Sequence, residues 1–203
     1  MMRFNCFGIP FYVSYWTVFL VAFSFVTAGA GQGIILMSLV STTIHEVGHL
    51  VFICIYRGKP QKIGVYFFEV KISSDDNEST WFQDLLITFA GIAANGVAAV
   101  VALSVNMAVS CGLLMDFFWC NVAIGLLNAF PFVSFDGGQL LLMVLSVFVQ
   151  EKSALKIVNV ASVVLFFPLV LAGIYILFNT RNNFSLLFVS VYLLSIFISK
   201  ELR

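Results

Sequence analysis

The sequence predicts an all-α polytopic membrane protein with about six transmembrane helices and a short β hairpin or edge strand at the membrane surface. Three observations predict this class. Hydrophobic residues make up 61% of the chain and charged residues only 10%, apolar runs long enough to cross a bilayer recur along it, and short polar segments separate these runs. We therefore expect one membrane-embedded domain over residues 1–203, without a separate soluble domain.

Charge and cysteine content exclude two further classes. The formal net charge is zero, and no basic patch or tail suggests nucleic acid as a partner. The cysteines lack C-x-x-C spacing and fall mostly in apolar runs, so we expect small packing residues and neither a disulfide framework nor a thiolate zinc site. They are Cys6, Cys54, Cys111 and Cys120.

The first apolar run predicts a helix over about residues 11–28. A signal peptide is the alternative, because Ala28-Gly29-Ala30 resembles a cleavage site, but the run is long for the apolar core of a signal peptide. We expect the run to be retained as the first helix. The second helix is predicted from Gly33 to Tyr56.

A different pattern follows at residues 63–73, which are rich in β-branched and aromatic side chains and too short to span as a helix. We predict a β hairpin or edge strand here, at the membrane surface. A plain loop is the alternative. The polar residues 75–78 predict a solvated turn.

The third helix is predicted over about residues 84–109, where small residues indicate close helix packing in lipid. The fourth segment begins near Asp116 and is interrupted at residues 128–131 and 136–138, before residues 139–149 resume the helix. Irregular backbone at membrane depth is tolerated only where protein buries it or where it lines a water-filled cavity. The interruption therefore predicts a cavity.

Two further helices complete the predicted bundle. Charged residues between 151 and 156 mark a boundary, residues 157–178 predict a fifth helix with a kink at Pro168, and residues 184–199 predict a sixth.

The distribution of positive charge predicts the orientation in the membrane. Six crossings with the N-terminus inside place nine of the 10 Lys and Arg residues on one side, and the positive-inside rule makes that side the cytoplasm. We predict a multi-pass cell-membrane protein with both termini cytoplasmic. The nine residues are Arg3, Arg57, Lys59, Lys62, Lys71, Lys152, Lys156, Lys200 and Arg203; Arg181 lies on the other side.

The second predicted helix contains His45-Glu46-Val47-Gly48-His49 in its second half. These are the chain's 2 histidines, and their i, i+4 spacing puts both imidazoles on one helix face, where they can bind a single zinc ion. Glu46 lies beside that face as the candidate general base for a zinc-activated water, whose pKa falls to about 7. The pattern is the one zinc metalloproteases use.

Structural polar packing is the alternative interpretation of this motif. Ionisable groups in a membrane-spanning helix cost about 2.5–3.5 kcal/mol each, so a cluster of three needs a shared partner, which favours zinc. From His49 to Arg57 the chain is about 12 Å long at a helical rise of about 1.5 Å per residue. We therefore expect the metal to lie deep in the membrane, nearer the cytoplasmic face.

A catalytic zinc needs a third protein ligand and an open position, and Asp136 is the best candidate. It lies in the interrupted fourth segment, in a turn that can direct the carboxylate inward. The alternative is a helix-capping role before Gly137-Gly138. Asp84 and Asp116 lie at helix ends and are expected at the membrane interface.

These motifs resemble those of the site-2 protease family of intramembrane zinc metalloproteases, in particular its small bacterial, sporulation-type branch. The resemblance rests on residues 45–49 and on residues 128–138, NAFPFVSFDGG, which match the family's N-x-x-P followed by L-D-G. Residues 90–95, AGIAAN, give a weaker match. The motifs span the family's three-helix catalytic core, which we place within about residues 33–150.

The resemblance implies a function and a set of site residues. It implies that His45, His49 and Asp136 bind one Zn²⁺ and that Glu46 is the general base of peptide-bond hydrolysis. Asn128 would contact the substrate backbone or help to stabilise the oxyanion, although an intramembrane Asn can equally bond a neighbouring helix.

The resemblance also implies partners: a single-pass membrane protein or membrane peptide as substrate, and the lipid bilayer. Residues 63–73 would correspond to the family's membrane-associated sheet, which takes up substrate in extended form. The sequence departs from the family's usual Pro or Leu at four positions, which affects loop stiffness and substrate choice but no ligand. These positions are Ile92, Val133, Ser134 and Phe135. This sequence shows no PDZ-like insertion or nucleotide-sensing domain, so we expect regulation by a membrane partner or by the substrate.

Two other functions compete with proteolysis. A non-proteolytic membrane scaffold or chaperone of the same fold is the first, but a binding module does not need Glu46 as a base in hydrocarbon. A metal or ion transporter is the second, but a transporter is expected to show polar residues along the whole crossing or repeated halves. Here the acids and histidines form one cluster.

Overall fold

The computed structural model describes residues 2–6, 9–29, 33–58, 60, 62–65, 70–73 and 79–180 of the chain. The predicted sixth helix at 184–199 lies outside the described residues, as do the polar turn at 75–78 and residues 66–69 within the predicted hairpin. The elements are, in chain order, β1 (Met2–Cys6), β2 (Ile9–Val13), α1 (Tyr15–Gly29), α2 (Ile34–Tyr56), β3 (Lys62–Val65), β4 (Val70–Ser73), α3 (Trp81–Val109), α4 (Gly112–Ala129), α5 (Asp136–Phe148) and α6 (Glu151–Thr180).

Four helices in this part of the chain are long and apolar enough to cross a bilayer, namely α2, α3, α4 and residues Glu151–Tyr175 of α6. They fall on the predicted second to fifth crossings, which supports the membrane class. Helix α1 has 15 residues, which is about 22 Å of helix against a hydrocarbon core of roughly 30 Å. Six crossings therefore stays a prediction.

The N-terminal segment differs from the prediction. The first helix was expected from about residue 11 but begins at Tyr15, because residues Phe11–Val13 pair with β3. Pro10 lacks a backbone N–H and disfavours helix in the residue before it, and the aromatic and β-branched residues that follow suit a strand. The partner strand lies some fifty residues later in the chain, so local sequence patterns do not reveal the pairing.

The strands form one sheet in the order β1-β2-β3-β4. β1 pairs with β2 antiparallel, β2 with β3 parallel, and β3 with β4 antiparallel. Strands β3 and β4 fall within the segment predicted to be a hairpin or edge strand, extended by Lys62. Among the described strands, β4 is an edge of the sheet and pairs on one side with β3.

The chain divides into two compact units, and the first ends at Leu127. In this unit α2 packs against α3 and α1. Ala90, Ala99 and Ala102 of α3 are buried, as the small residues of this helix predicted, because small side chains let helices approach closely in lipid. An ion pair of 2.5 Å between Arg57, which caps α2, and Asp84 in the first turn of α3 links the two helix ends.

The second unit begins at Asn128 and contains the predicted interruption. After Ala129 the backbone leaves the helix, near the interruption predicted at 128–131. It resumes the helix at Asp136, so the second predicted interruption, at 136–138, is wrong: these residues form the first turn of α5, where the glycines allow close backbone approach and do not break the helix. Helix α6 begins at Glu151, within the predicted boundary, and contains Pro168.

The loop before α5 is held by side chains on both of its neighbouring helices. The Val133 N–H donates to Ser162 Oγ of α6 at 2.9 Å, and Gln139 Nε2 of α5 donates to the Val133 carbonyl at 3.2 Å. A Cβ at Gly137 or Gly138 would overlap the backbone of the residues before the helix. The glycine pair therefore lets the loop fold closely onto the start of α5.

Candidate metal centre

Helix α2 carries both histidines one turn apart. Their Nε2 atoms lie 3.2 Å from each other, and the rings meet edge to face with centroids 4.8 Å apart. His45 is 4% exposed and His49 is half-buried. Two nitrogens bound to a tetrahedral zinc at about 2.05 Å lie about 3.3 Å apart, so the Nε2 pair is spaced as two zinc ligands require.

The other nitrogen of each imidazole is hydrogen-bonded to α3. His49 Nδ1 lies 2.8 Å from the Ile87 carbonyl oxygen, and His45 Nδ1 lies 2.7 Å from Asn95 Oδ1. Both oxygens can only accept, so each Nδ1 donates to its partner, which leaves Nε2 as the nitrogen of each ring that can bind a metal. Metal-binding histidines are typically oriented in this way. Two lone pairs converging at this distance are stabilised by a shared cation.

Two glycines bring α2 and α3 close enough for these contacts. A Cβ at Gly91 would overlap the His49 Nε2 and lie 2.6 Å from its Cε1 and 2.8 Å from the His45 Cε1. A Cβ at Gly48 would lie 2.7 Å from the Ala90 carbonyl oxygen. Gly48 thus lets the backbones approach, and Gly91 leaves the space that the imidazoles occupy.

Asp136, the third predicted ligand, belongs to the second unit of the chain. Asp136 is the first residue of α5, and Phe135 holds the N-cap position without a side-chain cap bond. Asp136 therefore does not occupy the N-cap position that the capping alternative requires. Two imidazoles and a carboxylate are a donor set compatible with zinc and leave a fourth position open.

The other two predicted site residues lie on α2 and α4. Glu46 follows His45 directly, is half-buried and is the only acidic residue of α2. Asn128 is half-buried in the last turn of α4, one residue before the helix ends. Their catalytic roles stay predictions.

Several residues that surround the histidines were not singled out for the site from the sequence. Asn95 was noted only as part of a weak motif match, and Ser41, Asn121 and the space provided by Gly91 were not predicted. A signal for the asparagines did exist. Uncharged amides in membrane-spanning helices are costly unless they find partners, so Asn95 and Asn121 in α3 and α4 predict hydrogen bonding between helices.

No protein-family model and no curated protein matches the chain. Among solved structures, the chain is similar to the site-2 protease from Methanocaldococcus jannaschii, with a TM-score of 0.66, 22% sequence identity, and coverage of 95% of this chain and 91% of that one. The chain therefore shares the fold of an intramembrane site-2 protease.

Proposed function

We propose that this chain is an intramembrane zinc metalloprotease of the site-2 protease type, which hydrolyses a peptide bond within or near a transmembrane segment. The observation that carries the proposal is the pair of Nε2 atoms 3.2 Å apart in an apolar helix, on rings whose Nδ1 atoms each face an acceptor oxygen. The fold of a site-2 protease supports it.

His45, His49 and Asp136 would hold the zinc. When bound, zinc acts as a Lewis acid and makes water a nucleophile at neutral pH. Glu46 lies next to His45 on α2, where its carboxylate would take the proton of the attacking water and pass it to the leaving amine. Asn128 would hold the substrate backbone through its side-chain amide.

The site favours a substrate that is itself in the membrane. We expect a single-pass membrane protein or a membrane peptide, because a helix-lined site deep in hydrocarbon is reached from the bilayer. A substrate helix must unwind before its peptide bonds can be attacked, and its freed amides need partners. The edge strand β4 (Val70–Ser73) offers them by strand addition.

The experiment that tests the proposal measures zinc content and cleavage in wild type and in Glu46→Gln, purified in the same detergent. Co-expressed single-pass membrane proteins and membrane peptides serve as substrates. We expect one zinc per chain in both proteins and cleavage by the wild type alone, because the Gln side chain cannot take a proton. Cleavage by Glu46→Gln would exclude Glu46 as the base.

A wild type without zinc would overturn the metalloprotease and favour a non-proteolytic scaffold or chaperone. Zinc in both proteins, with a substrate that binds wild type and stays intact, would also favour that alternative. If the zinc-loaded wild type cleaves its substrate only after a further membrane protein is added, that protein is a regulatory partner.

A further inference from the structure

Four buried polar side chains form a network beside the candidate metal centre. His45, Asn95, Asn121 and Ser41 are each at most 4% exposed, and they come from helices α2, α3 and α4. A buried polar group without a partner destabilises the folded protein. Polar groups placed this deeply between apolar helices therefore depend on one another.

Two backbone carbonyls fix the direction of every hydrogen bond in the network. Asn121 Nδ2 donates to the Phe117 carbonyl at 2.8 Å and to Ser41 Oγ at 2.9 Å, so Asn121 Oδ1 faces Asn95. Asn95 Nδ2 donates to that Oδ1 at 2.9 Å and to the Ser41 carbonyl at 3.0 Å. Asn95 Oδ1 then remains to accept the Nδ1–H of His45 at 2.7 Å.

A reversed Asn95 amide would place its oxygen against the Ser41 carbonyl and the Asn121 Oδ1. Both of those atoms can only accept, so the reversed orientation is repulsive on two sides. The amide nitrogen of a reversed Asn95 would also point at His45 Nδ1 and favour the tautomer with the proton on Nε2. That tautomer has no lone pair on Nε2 to offer a metal.

We propose that Asn95 and Asn121 are positioning residues that hold His45 with its proton on Nδ1 and its Nε2 lone pair toward the metal. Asn95 acts on the imidazole directly, and Asn121 acts by fixing the Asn95 amide. The consequence for metal binding rests on the proposed function, whereas the hydrogen bond itself does not. His49 is held by the Ile87 backbone carbonyl and does not depend on this pair.

The test follows the His45 Nδ1–H by NMR and measures zinc affinity by competition with a chelator. Because the chain has 2 histidines, protein labelled with ¹⁵N-histidine gives only two imidazole spin systems. The variants are Asn95→Leu and Asn121→Leu. Asn106→Leu, which removes an amide elsewhere on α3, is the matched control, and His49 is an internal reference within each protein.

In zinc-loaded Asn95→Leu we expect the His45 Nδ1–H signal to be lost to solvent exchange while the His49 signal remains. Zinc affinity should fall about 10–100-fold, as for other partners of metal-binding histidines. Asn121→Leu should weaken the His45 signal and the zinc affinity less than Asn95→Leu does. Asn106→Leu should change neither quantity. Asn95→Asp keeps an acceptor oxygen opposite His45, so it should retain the His45 signal and recover part of the affinity.

Retention of the His45 signal and of zinc affinity in both leucine variants would overturn the proposal. A variant that also loses the His49 signal has lost the packing of α2 on α3, and Asn95→Asp then decides by keeping or losing the His45 signal. If the wild type binds no zinc, the proposed function fails separately. The His45 signal of metal-free Asn95→Leu, compared with metal-free wild type, would still support or overturn the role of the pair.

Discussion

His45 and His49 share a helix face but are held by different kinds of group. His49 donates to a backbone carbonyl, which is part of the fold of α3, and His45 donates to a side-chain amide, which a single substitution can remove. Gly91 limits both rings from the other side. At this scale the site depends on several residues that touch no metal.

Gly91→Ala should abolish zinc binding with little loss of helix. The added methyl would overlap the His49 Nε2 and crowd the Cε1 atoms of both rings, so the imidazoles must rotate out of their positions. Zinc content measured by atomic absorption should fall to background. Gly96→Ala, on the same helix with nothing within 4 Å of an added Cβ, should keep its zinc and gain up to about 1 kcal/mol of helix stability.

Equal zinc content in the Gly91 and Gly96 variants would show that the imidazoles tolerate displacement. The close contact at Gly91 would then be a matter of packing and not of metal binding.

Asp136→Ala should lower bound zinc as strongly as His49→Ala does, because each removes one of three protein ligands. Loss of a partner outside the ligand set typically costs about 10–100-fold in metal affinity, and we expect loss of a ligand to cost more. Asp116→Ala, a carboxylate near the start of α4, is the control and should keep its zinc. Unchanged zinc in Asp136→Ala would remove Asp136 from the ligand set.

At the scale of elements, the loop between α4 and α5 shows how the chain stiffens an irregular segment. Val133 uses both of its backbone groups. Its N–H donates to Ser162 of α6, and its carbonyl accepts from Gln139 of α5. A proline would restrict the backbone directly, whereas here two helices hold the loop through hydrogen bonds.

Ser162→Ala should therefore loosen the loop that leads into Asp136. Ser162 is fully buried, and the Val133 N–H would lose this acceptor, at a cost of about 1–3 kcal/mol. We expect a lower midpoint of thermal unfolding together with weaker zinc binding, the latter because the Asp136 carboxylate is less well held.

The control for this variant is Ser146→Ala, whose hydroxyl bonds only within α5 and is exposed. It should leave both quantities unchanged. A Ser162→Ala protein that is destabilised but binds zinc normally would show that the bond supports the fold of the second unit without positioning the ligand.

At the scale of the whole molecule, the predicted orientation can be tested by cysteine labelling. In a cysteine-free background, Ser110→Cys between α3 and α4 should react with an impermeant thiol reagent in intact cells. Lys152→Cys at the start of α6 should react only after the membrane is permeabilised. This outcome follows from cytoplasmic placement of the excess Lys and Arg residues, and the reverse labelling pattern would invert the topology.

The sequence by itself determined the membrane class, the positions of four spanning helices, the break before Asp136 and the face that carries His45 and His49. These are local properties. Hydropathy over about twenty residues predicts a crossing, helical spacing places i and i+4 on one face, and proline interrupts a helix. Each is readable within one short segment.

Only the tertiary structure decided which distant segments meet. The pairing of β2 with β3, the bond between His45 and Asn95 fifty positions away, and the fit of Gly91 against the imidazoles all join separate elements. A short segment specifies its own conformation and polarity but not its partner. The partner is chosen by close packing and by the need of buried polar groups for hydrogen bonds, which only the folded chain satisfies together.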